Sequence, residues 1–426
     1  IGHCSQLMRE VFSLDTTAIN LKTKNAYNTI INSKFTWDSV ADVNVDCVKN
    51  FRNYKKSLPP KIGWVTPWNT KCGIASYSEN LINSIEDNII ILAPNDEKLL
   101  GNDSSQVRRC WSISKGSLKS LYKQILEERL SVVVIQFNYG FFDFSELSNL
   151  IDNLIKENIK IIIFFHSTID NKLIPTRSLK LISDCLSKCD RLLVHTPADM
   201  NRLKALGLVD NVTLFAHGIL DYKSISEYKN RPGIQFSKDT KQIHLSTFGF
   251  CLPNKGFPQL IKSIPIIKEY GYDVKLDLLT SIYNDQYKWF YDELKNLIST
   301  LNLENCIKIN GNYLSNQVSL DLLSNTDLII FPYQSTNESS SAAVRHGLAS
   351  GTPVAVTSLS IFNDVSTVVH FLPGLSPLEI AKGVIKWNNK NRWDQIPGKK
   401  KWMEANRFSS LGLRLEGMIR SLALNE

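Results

Sequence analysis

Three consecutive serines, Ser339, Ser340 and Ser341, stand at the start of a segment whose apolar spacing predicts a helix. The amide groups and hydroxyls at a helix N-terminus bind anions such as phosphate. Glu338 precedes the serines directly, and its carboxylate would repel phosphate but would accept hydrogen bonds from the hydroxyls of an attached sugar. The turn therefore indicates a site for a sugar phosphate, although the same residues would also cap the helix without a ligand.

Two glycine-containing turns have the composition of ligand-binding loops. Asn254-Lys255-Gly256 follows the first strand of the second half of the chain and places a lysine at the edge where open parallel sheets bind ligands. Gly73 ends the loop after the first strand of the chain, where the backbone can approach a ligand closely. Neither turn is specific alone, because a lysine in this position is often only solvated and such loops are common.

Polar residues also follow two apolar runs in the first half. Asn138 and Tyr139 come after the run 131–137, and His166 comes directly after the run 159–165. These positions lie at the carboxyl edge of a parallel sheet, where ligands bind. A single histidine is often structural. We interpret His166 as functional because its edge would lie opposite the anion site of the second half.

The elements that must position these residues are short β-branched runs that alternate with segments of helical period. The runs lack polar alternation, which predicts strands buried on both faces of parallel sheets and joined by right-handed helical crossovers. Six runs precede a break and six follow it: 61–65, 88–93, 131–137, 159–165, 191–195, 212–215, 243–248, 274–279, 306–309, 327–332, 353–357 and 367–371. The pattern predicts an α/β protein with two lobes of similar size.

The polar stretch 221–241 has little apolar periodicity and predicts the linker between the lobes. A helix start is predicted at Pro377, where Ser376 and Glu379 form a capping box. We predict four segments: a helical extension, 1–58; a first lobe, 59–230; a second lobe, 240–400; and a C-terminal helix that packs back on the first lobe, 401–426.

The composition of the 426 residues, with 43% hydrophobic and 21% charged, is that of a globular protein. No apolar run reaches the ~18 residues that span a bilayer. The net charge of +8 is mild and scattered, which fits an anionic ligand or membrane surface better than a nucleic-acid groove. The eight cysteines form no Cys-x-x-Cys pair, so we expect reduced thiols in a cytoplasmic protein.

Several other chemistries lack their motif. The chain has no G-x-G-x-x-G after a strand, no P-loop, no H-E-x-x-H and no G-x-S-x-G. No Asp-x-Asp stands at a strand end to hold a metal diphosphate. We therefore expect neither a bound cofactor nor a catalytic metal.

Taken together, the motifs resemble those of the family 4 glycosyltransferases, retaining enzymes with the GT-B fold of two Rossmann-like lobes facing across a cleft. Gly73-Ile74-Ala75-Ser76-Tyr77 is similar to the first glycine-rich loop of that family, and Asn254-Lys255-Gly256 to its donor-phosphate lysine. Glu338 matches the first glutamate of its E-x7-E motif, and 349–354 matches the segment that follows. The resemblance spans residues 60–424.

The resemblance implies a site shared by the lobes, with three catalytic residues: His166, Lys255 and Glu338. The donor would bind at Gly73, Asn254, Ser339, Ser340 and Ser341. Asn138 and Tyr139 would line the acceptor side.

Three positions depart from the pattern of the family. His346 replaces the second glutamate of E-x7-E, which contacts the ribose of the nucleotide in the family. Phe250 stands where an arginine usually partners the lysine, and Cys72 stands where a second glycine is common. These changes leave the identity of the donor nucleotide undetermined. They make Arg345 and His346 candidates for binding the nucleotide in a different way.

The resemblance further implies transfer of a hexose or deoxyhexose from a GDP-, UDP- or dTDP-sugar to a lipid-linked surface polysaccharide of O-antigen or capsule type. The enzyme would work without a metal in the cytoplasm, peripheral to the inner face of the membrane. One alternative is a catalytically impaired sugar-nucleotide-binding module of a larger assembly protein; another is an epimerase or phosphorylase with the same fold. Residues 35–41 resemble the start of the terminal helix of the family, so 1–58 are interpreted as the tail of an upstream transferase module.

Overall fold

The computed structural model describes residues 13–32, 39, 41–45, 59–113, 116–170, 174–221, 241–336, 338–388 and 396–423. The chain divides into two compact units, Ile1–Leu58 with Leu424–Glu426, and Pro59–Ala423. In the first unit, helix α1 spans Thr16–Asn32. Residues 222–240 of the predicted linker (221–241) and most of the motif at 35–41 lie outside the described residues.

Within the described part of the second unit, the first sheet has seven parallel strands in the order β3-β2-β1-β4-β5-β6-β7. Its strands are β1 Ile62–Val65, β2 Ile89–Pro94, β3 Val107–Trp111, β4 Val132–Phe137, β5 Lys160–Phe165, β6 Arg191–Val194 and β7 Val212–Leu214. The helices of this lobe are α2 Gly73–Ile82, α3 Lys119–Glu127, α4 Phe144–Lys156, α5 Ser183–Ser187 and α6 Pro197–Ala205. The order reverses between β1 and β4, as in a Rossmann-like sheet.

Strand β3 is an edge strand that the apolar runs do not predict, so the prediction of six strands for this lobe is wrong. Its sequence carries two arginines, and Arg109 is neutralised by Asp103 at 2.7 Å and Glu97 at 3.2 Å. A strand at the edge of a sheet can hold charged side chains, whereas the prediction required an uninterrupted apolar run.

The second sheet has the order β10-β9-β8-β11-β12-β13 in the described residues, and all its pairings are parallel. Its strands are β8 Gln242–Phe250, β9 Asp273–Ser281, β10 Ile307–Asn310, β11 Leu328–Phe331, β12 Val354–Val356 and β13 His370–Phe371. The helices that follow are α7 Phe257–Glu269, α8 Lys288–Thr300, α9 Asn316–Ser324, α10 Ala342–Ala349, α11 Pro377–Asn388, α12 Lys399–Ala405 and α13 Phe408–Ala423. The predicted α/β class with two Rossmann-like sheets is confirmed.

The central strands of the first sheet are buried on both faces, as their unbroken apolar sequences predict. Val133 and Ile135 of β4 face the cluster that includes α4, while Val132 and Val134 face the opposite cluster. Helix α13 covers that second face with Phe408, Leu411, Leu415, Ile419 and Leu422. This packing places the last helix of the unit on the first sheet.

Two local predictions near the C-terminus have different outcomes. The capping box at α11 is confirmed: Ser376 Oγ donates to Glu379 at 2.7 Å, and the Glu379 amide donates to Ser376 Oγ at 3.3 Å. Helix α12 is not predicted, because its start at Lys399-Lys400-Lys401 is polar and has no apolar period.

Candidate active site at the carboxyl edges of the two sheets

His166 lies where β5 ends, and a side chain of the neighbouring strand fixes its imidazole. The Nε2 atom of His166 is 2.7 Å from the Oε1 atom of Gln136, which lies near the end of β4 and is fully buried. The ring of Tyr77, from α2, packs edge-on against the imidazole with the ring centroids 5.2 Å apart. Burial lowers the pKa of His166 well below its ordinary value, so the ring is neutral at physiological pH.

His195 and His217 complete a group of rings around Tyr77, with centroids 5.5 and 4.8 Å from the tyrosine ring. Each Nδ1 atom lies 3.0 Å from a backbone carbonyl oxygen, that of Phe215 for His195 and that of Gly218 for His217. Because a carbonyl only accepts, Nδ1 carries the proton in both rings. Burial lowers the pKa of both histidines. The sequence analysis does not select them, although His195 ends the run 191–195 and His217 lies two residues after the run 212–215.

Lys255 is a buried cation at the carboxyl edge of the second sheet, in the short turn Pro253–Lys255. Its Nζ atom is 3.3 Å from Oε2 of Glu338 and 4.0 Å from the centroid of the Tyr333 ring. Burial lowers the pKa of Lys255, but Tyr333 and Glu338 raise it by more, and the net pKa lies above its ordinary value. The lysine therefore stays charged at physiological pH.

Gly256 is required by the turn that holds Lys255. Its φ is +75°, and a Cβ atom there would lie 1.8 Å from the carbonyl oxygen of Pro332. Only glycine tolerates both the left-handed backbone and this close approach. Since Pro332 follows β11, the glycine allows the lysine turn to pack against the segment that leads to Glu338.

The three serines use their hydroxyls for three different contacts within the protein. Ser341 caps α10 by accepting a hydrogen bond from the Val344 amide at 3.3 Å. Ser340 donates to Asp364 at 2.7 Å, and Ser339 donates to Asp199 at 2.8 Å. The hydroxyls thus shape the turn, and the first amides of α10 lie at a helix N-terminus, a position that favours anions.

The space in front of α10 is kept open by small residues that sequence analysis missed. Ala342 is exposed and Ala343 is half-buried at the first two positions of the helix. Gly249, near the end of β8, has φ +138°, and a Cβ atom there would lie 3.5 Å from that of Ala343. The signal available in the sequence was a glycine at the end of a strand combined with two alanines after a serine cap.

Two contacts join the serine turn to the first lobe. Besides the hydroxyl contact with Asp199, the amide of Ser339 donates to the carbonyl oxygen of His166 at 3.4 Å. Asp199, in α6, is fully buried and also accepts from Thr168 and Arg202, each at 2.6 Å. Burial raises the pKa of Asp199, but these hydrogen bonds lower it by more, so it is ionised. Predicted residues of both halves thus form one contiguous set of contacts: His166, Ser339, Glu338 and Lys255.

Arg345 supports the serine turn from behind. Its Nε donates to the carbonyl oxygen of His217 at 3.0 Å, its Nη1 donates to that of Ser341 at 3.2 Å, and its Nη2 pairs with Asp364. The side chain is only 3% exposed. These contacts engage all three nitrogens of the guanidinium in holding the backbone of the turn.

His346 stacks on Phe248 with the ring centroids 4.4 Å apart and the planes 14° from parallel. Its Nε2 lies 2.8 Å from the Ser319 hydroxyl, which itself lies within 3.0 Å of two backbone carbonyl oxygens of α9 and its cap. The single serine proton goes to a carbonyl, so Nε2 of His346 is the donor and Nδ1 is an acceptor. Burial lowers the pKa of His346 to about 4.

The residues predicted for the acceptor side make local contacts in the first lobe. Asn138 accepts a hydrogen bond from the Gly140 amide at 2.9 Å. Tyr139 donates its hydroxyl to Asp170 at 2.7 Å, and burial raises the pKa of the phenol. Both side chains are half-buried beyond the end of β4.

Two predicted donor-binding residues lie on the two turns. Gly73 is the exposed first residue of α2, and a Cβ atom there would meet nothing within 4 Å. Asn254 donates from its side-chain amide to the carbonyl oxygen of Ser335 at 3.0 Å, which ties the lysine turn to the segment before Glu338.

Phe250 belongs to an aromatic group at the end of β8. Its ring lies 5.0 Å from that of Tyr283 and 6.2 Å from that of Tyr313, nearly parallel to the latter. The hydroxyl of Tyr313 lies 3.3 Å from that of Ser76 in α2. The end of β8 therefore carries apolar ring surface.

The described residues contain no group of three histidine, cysteine, aspartate or glutamate side chains placed to hold a metal ion. Within the same residues, no helix combines the length and the apolar character that crossing a bilayer demands.

The fold of the chain is similar to that of several solved structures. A glycosyltransferase from Rickettsia africae superimposes with a TM-score of 0.65 at 14% identity, over 87% of this chain and 100% of that one. HepE from Anabaena, solved with UDP and glucose, gives 0.64 at 12% identity, over 85% and 100%. Sucrose-phosphate synthase from Thermosynechococcus elongatus gives 0.62 at 12% identity, over 85% and 99%. No protein-family model matches the sequence, and no curated protein matches it significantly.

Proposed function

We propose that the chain is a retaining glycosyltransferase that moves a hexose or deoxyhexose from a nucleotide-diphosphate sugar to a glycan. The observation that carries the proposal is the meeting of a buried cation, a carboxylate and an open helix N-terminus at one point. Lys255 lies 3.3 Å from Glu338, and Glu338 adjoins the Ser339 turn that contacts the first lobe. The similarity in fold to the glycosyltransferase structures supports this proposal.

The diphosphate of the donor would lie between Lys255 and the first amides of α10, at Ala342 and Ala343. Lys255 shares its ammonium with Glu338, which is exposed enough to turn toward a ligand. Positive potential placed where negative charge grows on the leaving phosphate stabilises the transition state. Glu338 would hold hydroxyls of the sugar, and this role accounts for a carboxylate beside a phosphate site. Ser339, Ser340 and Ser341 shape this site through their hydroxyl contacts.

The reaction breaks the bond between the anomeric carbon and the leaving phosphate oxygen, and the acceptor hydroxyl forms its new bond on the same face. The nucleoside diphosphate leaves with the electron pair, and its oxygen takes the proton of the acceptor hydroxyl. A strong protein base is unnecessary in this scheme. The lowered pKa of His166 is consistent with it, since His166 would contact the sugar as a neutral ring.

The acceptor would approach past Asn138 and Tyr139 at the edge of the first lobe. We extend the proposal to a lipid-linked surface polysaccharide of O-antigen or capsule type, assembled at the inner face of the membrane. The same proposal divides the chain into four segments: 1–58, 59–230, 240–400 and 401–426. The first lobe would bind the acceptor and the second lobe the donor.

A second candidate function is a sugar-nucleotide-binding module with impaired catalysis. Two observations favour it. Phe250 offers ring surface in place of an arginine, and His346 offers one neutral acceptor in place of a carboxylate. Both changes should weaken the binding of a nucleotide diphosphate.

Thermal stabilisation by UDP-, GDP- and dTDP-sugars, followed by a transfer and donor-hydrolysis assay, tests both functions. A ligand that binds only the folded state raises the melting temperature. We expect one nucleotide class to stabilise the chain and to be turned over. Stabilisation without turnover favours the binding module, and no stabilisation by any sugar nucleotide contradicts both proposals.

A further inference from the structure

The hydrogen bond between Gln136 and His166 determines what the histidine can offer to a ligand. The Oε1 atom of Gln136 lies 2.7 Å from Nε2 of His166, and Gln136 is fully buried. The Gln136 amide points its oxygen at the ring and leaves its buried nitrogen without a partner in the described residues, so in this orientation the proton of the bond belongs to the ring. We infer that Gln136 is a positioning residue that holds His166 as the Nε2–H tautomer, leaving Nδ1 to accept a hydrogen bond from a donor-sugar hydroxyl.

Burial and the neighbouring His195 both disfavour the charged form of the His166 ring and lower its pKa. Tyr77 of α2 packs at 5.2 Å, and His195, after β6, packs at 5.3 Å. The serine turn of the other lobe presents the Ser339 amide to the backbone of His166. Among the described residues, no carboxylate is hydrogen-bonded to the imidazole of His166. Within the part of the chain that the structure describes, Gln136 is the one side chain hydrogen-bonded to a ring nitrogen of His166.

This tautomer limits the chemistry of His166. A neutral ring whose Nε2–H is engaged cannot place a positive charge on a diphosphate. Its Nδ1 atom offers a ligand a single lone pair, which can accept a hydrogen bond from a hydroxyl group. A sugar without a hydroxyl at the contacted carbon cannot make this hydrogen bond. His166 would then select a sugar that carries a hydroxyl at the contacted carbon. This part rests on the proposed function, whereas the tautomer does not.

Two-bond proton–nitrogen NMR spectra of the full chain, labelled with ¹⁵N in histidine, test the tautomer directly. His166→Asn identifies the signals of the ring. We expect the wild type to show protonated Nε2 and bare Nδ1 at neutral pH. Gln136→Met removes the acceptor at similar size, and we expect a mixture of tautomers. Gln136→Glu keeps the acceptor and should keep Nε2–H, while the added negative charge raises the pKa of His166. An unprotonated Nε2 in the wild type would overturn the inference. So would a Gln136→Met variant whose His166 shows the same tautomer as the wild type.

Kinetics with a donor sugar and its deoxy analogues test the ligand side. We expect Gln136→Met to lower kcat/KM about tenfold, the loss of one hydrogen bond, for the parent donor only. Discrimination against the analogue that lacks the contacted hydroxyl should fall by the same factor. Gln106→Met changes an exposed glutamine just before β3; it is the matched control and should match the wild type. An equal loss of kcat/KM for all donors would mean that Gln136 has a structural role. It would overturn the proposed selection of a sugar hydroxyl by His166. A chain without turnover refutes the proposed function but leaves the NMR test intact.

Discussion

The hydroxyl of Ser339 in the second lobe donates a hydrogen bond of 2.8 Å to the carboxylate of Asp199 in the first. Asp199 is completely buried and has three further side-chain donors, Thr168, Thr196 and Arg202. The contact thus ties the turn that follows Glu338 to a buried carboxylate of the other lobe that three further side chains hold in place. It also fixes the position of that turn relative to His166, whose carbonyl oxygen accepts a hydrogen bond from the Ser339 amide.

Ser339→Ala should therefore weaken donor binding more than it weakens the fold. Asp199 keeps its other donors, so we expect a loss of only about 1 kcal/mol in the free energy of unfolding. The turn loses its fixed register, and KM for the sugar nucleotide should rise several-fold. Ser366→Ala removes an exposed hydroxyl bonded to the Asn363 carbonyl and is the control. Denaturant unfolding and steady-state kinetics measure both effects, and an unchanged KM with a large loss of stability would contradict the prediction.

Lys255→Met should lower kcat by orders of magnitude while the chain still folds. Methionine fills the buried site, and Glu338 remains half-exposed, so water can solvate the carboxylate that loses its partner. The charge opposite the leaving diphosphate is lost, and such electrostatic contacts contribute about 100- to 1,000-fold to kcat. Lys262→Met makes the same change on an exposed position of α7 and should retain wild-type kinetics. Near-normal turnover of Lys255→Met would remove this lysine from the reaction.

Local sequence predicted the strands and the serine turn because each depends on neighbours in the chain. Unbroken apolar runs predicted β4 and β5, and the serine cap predicted the start of α10. The partners of the site could not be predicted in this way. Asp199 and Ser339 are 140 positions apart, and only the packing of two lobes brings them together. The contact between Tyr333 and Lys255 could not be predicted either, since nothing in the local sequence of Tyr333 indicates that its ring packs against a cation.

Acidification should destabilise the chain partly through His346. Its folded pKa, about 4, lies below the ordinary value of about 6.5, so the unfolded chain binds the extra proton between these values. Stability therefore rises with pH across this window and is lost as the pH falls through it. His346→Asn should remove up to about 3 kcal/mol of this pH dependence.

Chemical denaturation at a series of pH values from 7.5 to 4 checks the contribution of His346. The difference in unfolding free energy between the wild type and His346→Asn should shrink as the pH falls. Parallel stability curves for the two proteins would show that His346 does not titrate differently on folding.

Prolonged treatment with a chelator should leave transferase activity intact. In the proposed site, Lys255 and the N-terminus of α10 supply the positive potential that a divalent ion supplies in other transferases. Turnover is measured before chelation, after removal of the chelator, and after addition of Mg²⁺ or Mn²⁺. Activity that disappears with chelation and returns with either ion would contradict the proposed charge balance.

Arg345→Met should destabilise the fold, because the guanidinium is the ionic partner of the nearly buried Asp364. Breaking one side of a buried ion pair leaves an uncompensated charge and costs about 3–5 kcal/mol. Asp364→Asn combined with Arg345→Met removes both charges and should recover part of the loss. Urea unfolding of the two single variants and the double variant measures the coupling. A stable Arg345→Met chain that has lost only sugar-nucleotide binding would instead assign Arg345 directly to the donor, as the sequence analysis expected.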